Sequence, residues 1–361
     1  MGVVVAPRTW MACGRPGRDT RHGAPPSARG RAPGAVRPVG APILTCDPAR
    51  ALPGSTAGSP GPSPALTTVG RVRHPHAERL DLVENLHGHA VADPYRWLED
   101  AADPRTVAWT AAQDELATEA LAALPVRERF AARLAELVHA GAVGVPVWRN
   151  GRAFSTRRDP GQEHAVLRVR EPDGSERVLV DPMAVDPAGT TTLDAWSPSW
   201  EGDRLAYQLS TGGDEESRLY VLDVATGEQL DGPVDRCRYS PVAWLPGGEE
   251  LFYVRRLAPD LVPDGEEQFH RRVWRHRVGT DVGDDVLVHG EGSDPATYFG
   301  ARTSRDGRWL VVSASVGTAP RDDVWLADLA GSSSGTRPPL RELQVGVDAQ
   351  TAACVARDGR L

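Results

Sequence analysis

The chain has 361 residues, enough for one large domain or two ordinary ones, with 41 basic residues against 49 acidic ones and a net charge of −8. That balance excludes a general nucleic-acid binder. No apolar run approaches the ~18 residues a membrane helix needs, and Val3-Val4-Val5-Ala6 is too short for the apolar core of a secretory signal.

The charge is unevenly spread. Residues 1–73 hold ten arginines and two aspartates, so the remainder is strongly acidic. Every basic residue is arginine, and the excess of Ala, Gly, Pro and Arg reflects a GC-rich coding sequence more than any chemistry. Residues 1–72 lack hydrophobic periodicity and cannot bury enough apolar surface to offset the entropy of ordering, so a disordered tail is expected. Its arginines are scattered rather than clustered, which argues against a basic arm for nucleic acid or membrane. Cys13, Cys46, Cys237 and Cys354 lie far apart with no paired spacing. A disulfide framework or zinc site is therefore not expected, and a reducing, cytoplasmic compartment is.

Residues 73–140 read as a helical lead-in. Asp103-Pro104 places a capping carboxylate before a proline at the first helical position. Val107, Trp109, Ala112, Leu116, Ala120 and Leu121 follow at close to helical spacing. Leu124-Pro125 interrupts, because the residue before proline is pushed out of the helical region. A second helix is predicted over 126–138, with Phe130, Leu134, Leu137 and Val138 on one face.

After Gly141 the period changes from helical to alternating. A glycine turn followed by a short apolar strand recurs as Asn150-Gly151-Arg152-Ala153-Phe154, Glu201-Gly202-Asp203-Arg204-Leu205, Gly247-Gly248-Glu249-Glu250-Leu251 and Asp306-Gly307-Arg308-Trp309-Leu310. The intervals are 51, 46 and 59 residues, the longest holding a Pro- and acid-rich insertion. A second strand with an apolar-polar beat follows each turn, as in Arg218-Leu219-Tyr220-Val221-Leu222-Asp223. Glycine turns between alternating strands are hairpin signals, and a repeat of this length built of several strands marks a β-propeller blade. Arg357-Asp358-Gly359-Arg360-Leu361 repeats the opening phrase 52 residues on, so the expectation is four blades and the start of a fifth, cut short within residues 141–361.

Asp93-Pro94-Tyr95-Arg96-Trp97-Leu98-Glu99-Asp100, with Val83-Glu84 and His87-Gly88 before it, resembles the N-terminal hallmark of the prolyl oligopeptidase family of serine peptidases. Leu179-Val180-Asp181-Pro182, Val242-Ala243-Trp244, Leu251-Phe252-Tyr253 and His276-Arg277-Val278-Gly279-Thr280 fall in that family's order. The resemblance implies a mainly β fold, a seven-bladed propeller capping an α/β-hydrolase domain whose first helices precede the propeller. It implies cleavage of short peptides after proline by a monomeric enzyme, with the propeller as a size-selecting cap and no cofactor, metal, nucleic acid or membrane involved. The triad would lie in the later hydrolase part, so no catalytic residue is assigned here and the chain alone is expected to be inactive. Oligopeptidase B, which cleaves after basic residues, shares the layout; a non-catalytic propeller serving as a protein-binding module is the other alternative.

Three features invite functional readings. Gly331-Ser332-Ser333-Ser334-Gly335 matches the G-x-S-x-G nucleophile elbow, but Thr336-Arg337-Pro338-Pro339 cannot begin the helix that motif requires, so a flexible loop between strands is expected. His74-Pro75-His76 and His87-Gly88-His89 are pairs without a third ligand and read as solvated loop histidines. None of the ten histidines has a recognisable partner context. Arg255, Arg256, Arg271, Arg272, Arg275 and Arg277 form the one basic concentration; they either line the tunnel for a peptide carboxylate or pair with neighbours such as Glu266, Glu267, Asp284 and Asp285. Trp196, Trp200, Trp244, Trp274, Trp309 and Trp325 are assigned to packing between blades.

Overall fold

A computed structural model describes residues 73–356 and 358–361. The tail expected to be disordered, residues 1–72, lies outside the described residues.

The hallmark segment folds as a small nucleus of its own. A hairpin of β1 (Val83–Leu86) and β2 (His89–Ala92) precedes it, turned by His87 at φ 52° and Gly88 at φ 84°. Two successive left-handed residues are what a two-residue hairpin needs, so His87-Gly88-His89 is a turn and strand start rather than a loop. Trp97 is buried, its indole donates to the Glu78 carbonyl, and Thr106 donates to the Trp97 carbonyl. Arg96 pairs with Asp93, Glu84 and Glu99 around it.

Helix α1 (Pro104–Ala122) begins as expected, with the Asp103 carboxylate accepting from Arg105 N at 2.8 Å. Helix α2 (Arg127–Val138) starts one residue after the predicted position, beyond Pro125. Phe130, Leu134, Leu137 and Val138 all stand more than half exposed. An apolar stripe of this kind normally packs against another element, and none of the described elements covers it.

Four antiparallel sheets follow. The first holds β3 (Ala142–Val143), β4 (Val147–Arg149), β5 (Arg152–Arg158), β6 (Val166–Arg170) and β7 (Glu176–Val180), with β3 and β4 both paired to β5. A short helix, α3 (Pro182–Val185), leads to the second: β8 (Thr191–Pro198), β9 (Arg204–Thr211), β10 (Arg218–Asp223) and β11 (Gln229–Val234). The third holds β12 (Val242–Trp244), β13 (Glu250–Arg256), β14 (Arg271–Arg277) and β15 (Val286–His289). The fourth holds β16 (Thr297–Thr303), β17 (Trp309–Val316), β18 (Asp323–Asp328) and β19 (Arg341–Gln344). Each is a meander in chain order, which is the blade the repeat predicts.

Because neighbouring residues of a strand face opposite ways, each sheet offers an apolar side to both of its neighbours. On β13, Phe252 and Val254 enter a core shared with Phe299, Leu310 and Val312 of the fourth sheet, while Leu251 and Tyr253 pack with Ala206, Leu219 and Val221 of the second. Phe154, Leu167 and Val169 of the first sheet join Leu205, Leu209 and Leu222 in the same manner. Each such side chain contributes about 1.5–3 kcal/mol by burial. The outer side of the fourth sheet, Val311, Val324 and Leu326, is partly covered by Ala353 and Val355, and residues 356–360 close a turn from Ala356 N to the Arg360 carbonyl.

The tryptophans lie in these seams. Trp196, Trp200, Trp244, Trp274, Trp309 and Trp325 each belong to or border an inter-sheet core. Trp200 donates to the Trp244 carbonyl and Trp244 to the Ser197 carbonyl, a reciprocal stitch between the second and third sheets. The recurring glycine has a matching role. Gly307 sits at φ 70°, and a Cβ there would lie 2.2 Å from Pro246 of the preceding sheet. Gly202 stands likewise against Arg149. The repeated phrase therefore marks the point where one blade presses on the previous one, and only glycine fits both the dihedral and the gap.

Candidate functional site

Strand direction sorts the polar residues onto two ends of the propeller. Arg256 closes β13 and Arg271 opens β14, so they share one end with the β9–β10 loop, the β11–β12 connection and the start of β16. That is also the end at which the chain runs from α2 into the first sheet. Glu250, Arg275, His276 and Arg277 lie toward the opposite end of the same two strands.

The first end carries a basic cluster. Arg256 is buried and paired with Glu216; Arg238 pairs with Glu215 at 2.5 Å; Arg255 and Arg236 share Asp235. Arg271 is 4% exposed and stacks on the Tyr298 ring, its guanidinium 3.9 Å from the ring centre. Its Nε and Nη1 have no hydrogen-bond partner among the described residues. Burial, then the charges of Arg256 and Arg238, make its charged state costlier than usual. The expected carboxylate neighbours are not the partners found. Glu266 instead pairs with His270 at 2.5 Å, and Asp285 with His276 at 2.6 Å. The actual partners come from the β9–β10 loop and the β11–β12 connection, 20 to 40 residues back in the chain. Such cross-blade pairing has no signature in local spacing.

At the opposite end the structure shows a constellation that the sequence conceals. His276, 2% exposed, is held from both sides: Nδ1 by Asp285 at 2.6 Å and Nε2 by Asp231 of the neighbouring blade at 2.8 Å. The Tyr253 hydroxyl donates to Asp285 at 2.5 Å, and Gly279 N donates to Asp231. Burial, the largest single influence, pushes the imidazole down, but the two carboxylates outweigh it and raise its pKa to about 9. The same contacts hold Asp231 below the usual carboxylate range against its own burial. With both ring nitrogens engaged by acids, this histidine is a cation clamped between blades and has no nitrogen free to activate a hydroxyl. The expectation that no histidine has a partner context is thus corrected for His276. Its Asp231 partner lies 45 residues away and only blade stacking brings it near.

The Gly331-Ser332-Ser333-Ser334-Gly335 segment runs out of β18 into an extended stretch leading to β19, with no helix after it. It is tied down rather than free. Arg275, clamped to Glu250 at 2.6 Å, donates to the carbonyls of Ser333 and Thr336, and Ser334 donates to Glu250 at 2.5 Å. The loop latches the fourth blade onto the third, beside a cleft of about 310 Å³ lined by Pro246, Glu250, Arg275, Leu329 and Ser334. Among the described residues no histidine is hydrogen-bonded to a serine hydroxyl, and no three His, Cys, Asp or Glu side chains come together as a metal site would require. No described helix is long and apolar enough to cross a membrane.

Comparison with known proteins follows the same lines. The family model described as prolyl oligopeptidase, N-terminal beta-propeller domain, matches residues 75–356. The chain is 30% identical over 260 residues to the prolyl endopeptidase of Elizabethkingia meningoseptica, covering 72% of this chain and 36% of that protein. It is 25% identical over 290 residues to protease 2 of Moraxella lacunata, covering 78% and 38%. A structure solved in a mechanistic study of two prolyl endopeptidases superposes with a TM-score of 0.68 at 34% identity, over 76% of this chain and 40% of that one. Prolyl oligopeptidase B of Galerina marginata, bound to a 35-residue hydrolysis and macrocyclization substrate, shares the fold at a TM-score of 0.63 and 23% identity. The chain spans less than half the length of the relatives it matches. With four stacked meander blades, the hallmark nucleus ahead of them and a family match over most of its length, the chain belongs to the prolyl oligopeptidase family and carries its N-terminal β-propeller region.

Proposed function

We propose that the chain supplies the propeller and helical lead-in of a serine endopeptidase that hydrolyses short peptides after proline, the propeller acting as a cap that admits only small peptides. The observation that carries this is the pairing of a family propeller with an unpartnered amphipathic helix. The stripe of Phe130, Leu134, Leu137 and Val138 on α2 is what residues 73–140 would bury if they formed the first part of a hydrolase domain. Specificity for proline rests on the names of the relatives and on the Asp93-Pro94-Tyr95-Arg96-Trp97 segment.

No nucleophile is placed within this chain. The histidine most deeply set among acids, His276, has both nitrogens occupied, and the G-x-S-x-G segment serves as a latch. The purified chain should leave a Gly-Pro-linked chromogenic peptide intact. Hydrolysis that survives purification and is blocked by a serine-directed inhibitor would overturn this reading. For the protein with a hydrolase domain attached, cleavage of Gly-Pro but not Gly-Arg substrates is expected, and the reverse preference would reject the specificity.

A further inference from the structure

The cluster at the α2 end of the propeller is out of balance. Arg236, Arg238, Arg255, Arg256 and Arg271 face three carboxylates, those of Glu215, Glu216 and Asp235. Arginine does not shed its proton at any ordinary pH, so the surplus is real positive charge. Part of it is buried, where an uncompensated charge is expensive. Arg271 is the extreme case, 4% exposed with Nε and Nη1 unpartnered, and the Nε of Arg238 and of Arg256 are likewise unmet. Buried donors of this kind are ordinarily satisfied, so a group of them converging on one place points to an acceptor supplied from outside.

The surroundings say what kind. Tyr298 lies over the Arg271 guanidinium, and Tyr239 stands beside it with ring centres 6.4 Å apart and planes tilted by 45°. Both tyrosines remain exposed, at 39% and 55%, while the arginines behind them are not. Tyr239 also holds Glu215, the carboxylate paired with Arg238, through its hydroxyl. An entering anion would meet flat aromatic faces first and a guanidinium fork behind them. That suits a planar carboxylate carried on an apolar stem better than a free, fully hydrated inorganic ion.

We infer that Arg238, Arg256 and Arg271, with Tyr239 and Tyr298, form a binding site for the carboxylate group of a peptide. The choice of a peptide as carrier rests on the peptidase reading; the anion site itself does not. Arg271 supplies the central donors, Arg238 and Arg256 the flanking ones, and the tyrosines contact the residue bearing the carboxylate. Glu216 competes with the ligand for Arg256 and Arg238, which sets the affinity in the empty site.

Calorimetry on the full chain, with no catalytic readout, tests this separately from the peptidase reading. The probes are acetyl-Gly-Pro with a free terminal carboxylate, the same peptide amidated, amidated acetyl-Asp-Pro, and inorganic phosphate. The free acid should bind at least about tenfold more tightly than its amide, the loss of one charge-assisted hydrogen bond. Comparison with the Asp-Pro amide then tells a terminal carboxylate from a side-chain one. Arg271→Met should abolish that preference without lowering the melting temperature, because replacing a buried unpaired charge by an apolar side chain is neutral or stabilising. Glu216→Gln should tighten binding of the free acid, a gain that misfolding cannot produce. Equal binding of acid and amide, preference for phosphate over the peptide acids, or no gain in Glu216→Gln would each overturn the inference.

Discussion

The Asp231–His276–Asp285 clamp makes the stability of the propeller depend on pH in a defined direction. In the unfolded chain the imidazole titrates near its ordinary value of about 6.5; in the folded protein its pKa is about 9. A folded value above the unfolded one means the stabilisation is fully present below pH ~6.5 and is lost as pH rises through about 9. A difference of two to three units corresponds to roughly 3 kcal/mol, which shifts the melting temperature of a domain this size by roughly 6–12 °C. The groups facing His276 are Asp231 from the second blade, Asp285 and Tyr253 from the third, and Gly279 N. The Tyr253 hydroxyl is pushed well above its ordinary range by burial and the Asp285 charge, and the buried Cys237 thiol up to about 12, so neither titrates in this window. The assay is thermal unfolding followed by tryptophan fluorescence between pH 6 and 10. The triple substitution Asp231→Asn, His276→Gln, Asp285→Asn serves as reference, since it keeps shape and removes all three charges. The wild type should lose several degrees more than the reference over that range. A parallel pair of curves would show that the clamp is not charged in the folded state and would refute the argument. His276→Gln alone, which leaves two buried carboxylates facing each other, should cost about 3–5 kcal/mol at pH 7.

Other substitutions probe the seams and the lead-in. Gly307→Ala places a methyl in a left-handed conformation against Pro246 and should cost at least about 2 kcal/mol by denaturant unfolding, whereas Gly331→Ala, with nothing within 4 Å, should cost only the backbone penalty of about 1 kcal/mol. Phe252→Ala empties the core between the third and fourth blades and should cost about 3–5 kcal/mol, read by the same unfolding curves. Arg275→Met should release the 331–336 latch, seen as faster amide exchange or new protease cleavage confined to that loop; unchanged protection would show that the loop holds itself. Phe130→Ser should change stability by less than about 0.5 kcal/mol while reducing aggregation, because its side chain is 63% exposed; a large loss would mean that α2 is packed in this chain.

The basic concentration shows where reading from sequence stops. Its existence was plain from Arg255-Arg256 and Arg271-Arg272, yet the expected partners were sequence neighbours and the real ones are Glu216 and Asp235. The G-x-S-x-G segment was correctly set apart from a strand-to-helix turn, but expected to be flexible, whereas Arg275 and Glu250 bind it to the next blade. The β1–β2 hairpin was missed although its His87-Gly88 turn was visible, because the pair was weighed as a metal motif and not as two left-handed residues.

What the sequence determined by itself is local and periodic. Proline and the Asp103 cap set the helix starts; alternation and recurring glycine turns set the strands and their grouping into four meanders. Hairpin partners lie close in the chain, so spacing suffices to find them. The tertiary structure alone decided which face of each sheet meets which neighbour, and hence that Asp231 reaches His276, that Glu216 reaches Arg256, and that Arg271 is left without a partner. Those contacts depend on the rotation between successive blades. Residues some 40 positions apart are brought within hydrogen-bond distance by that rotation, which one blade's spacing does not encode.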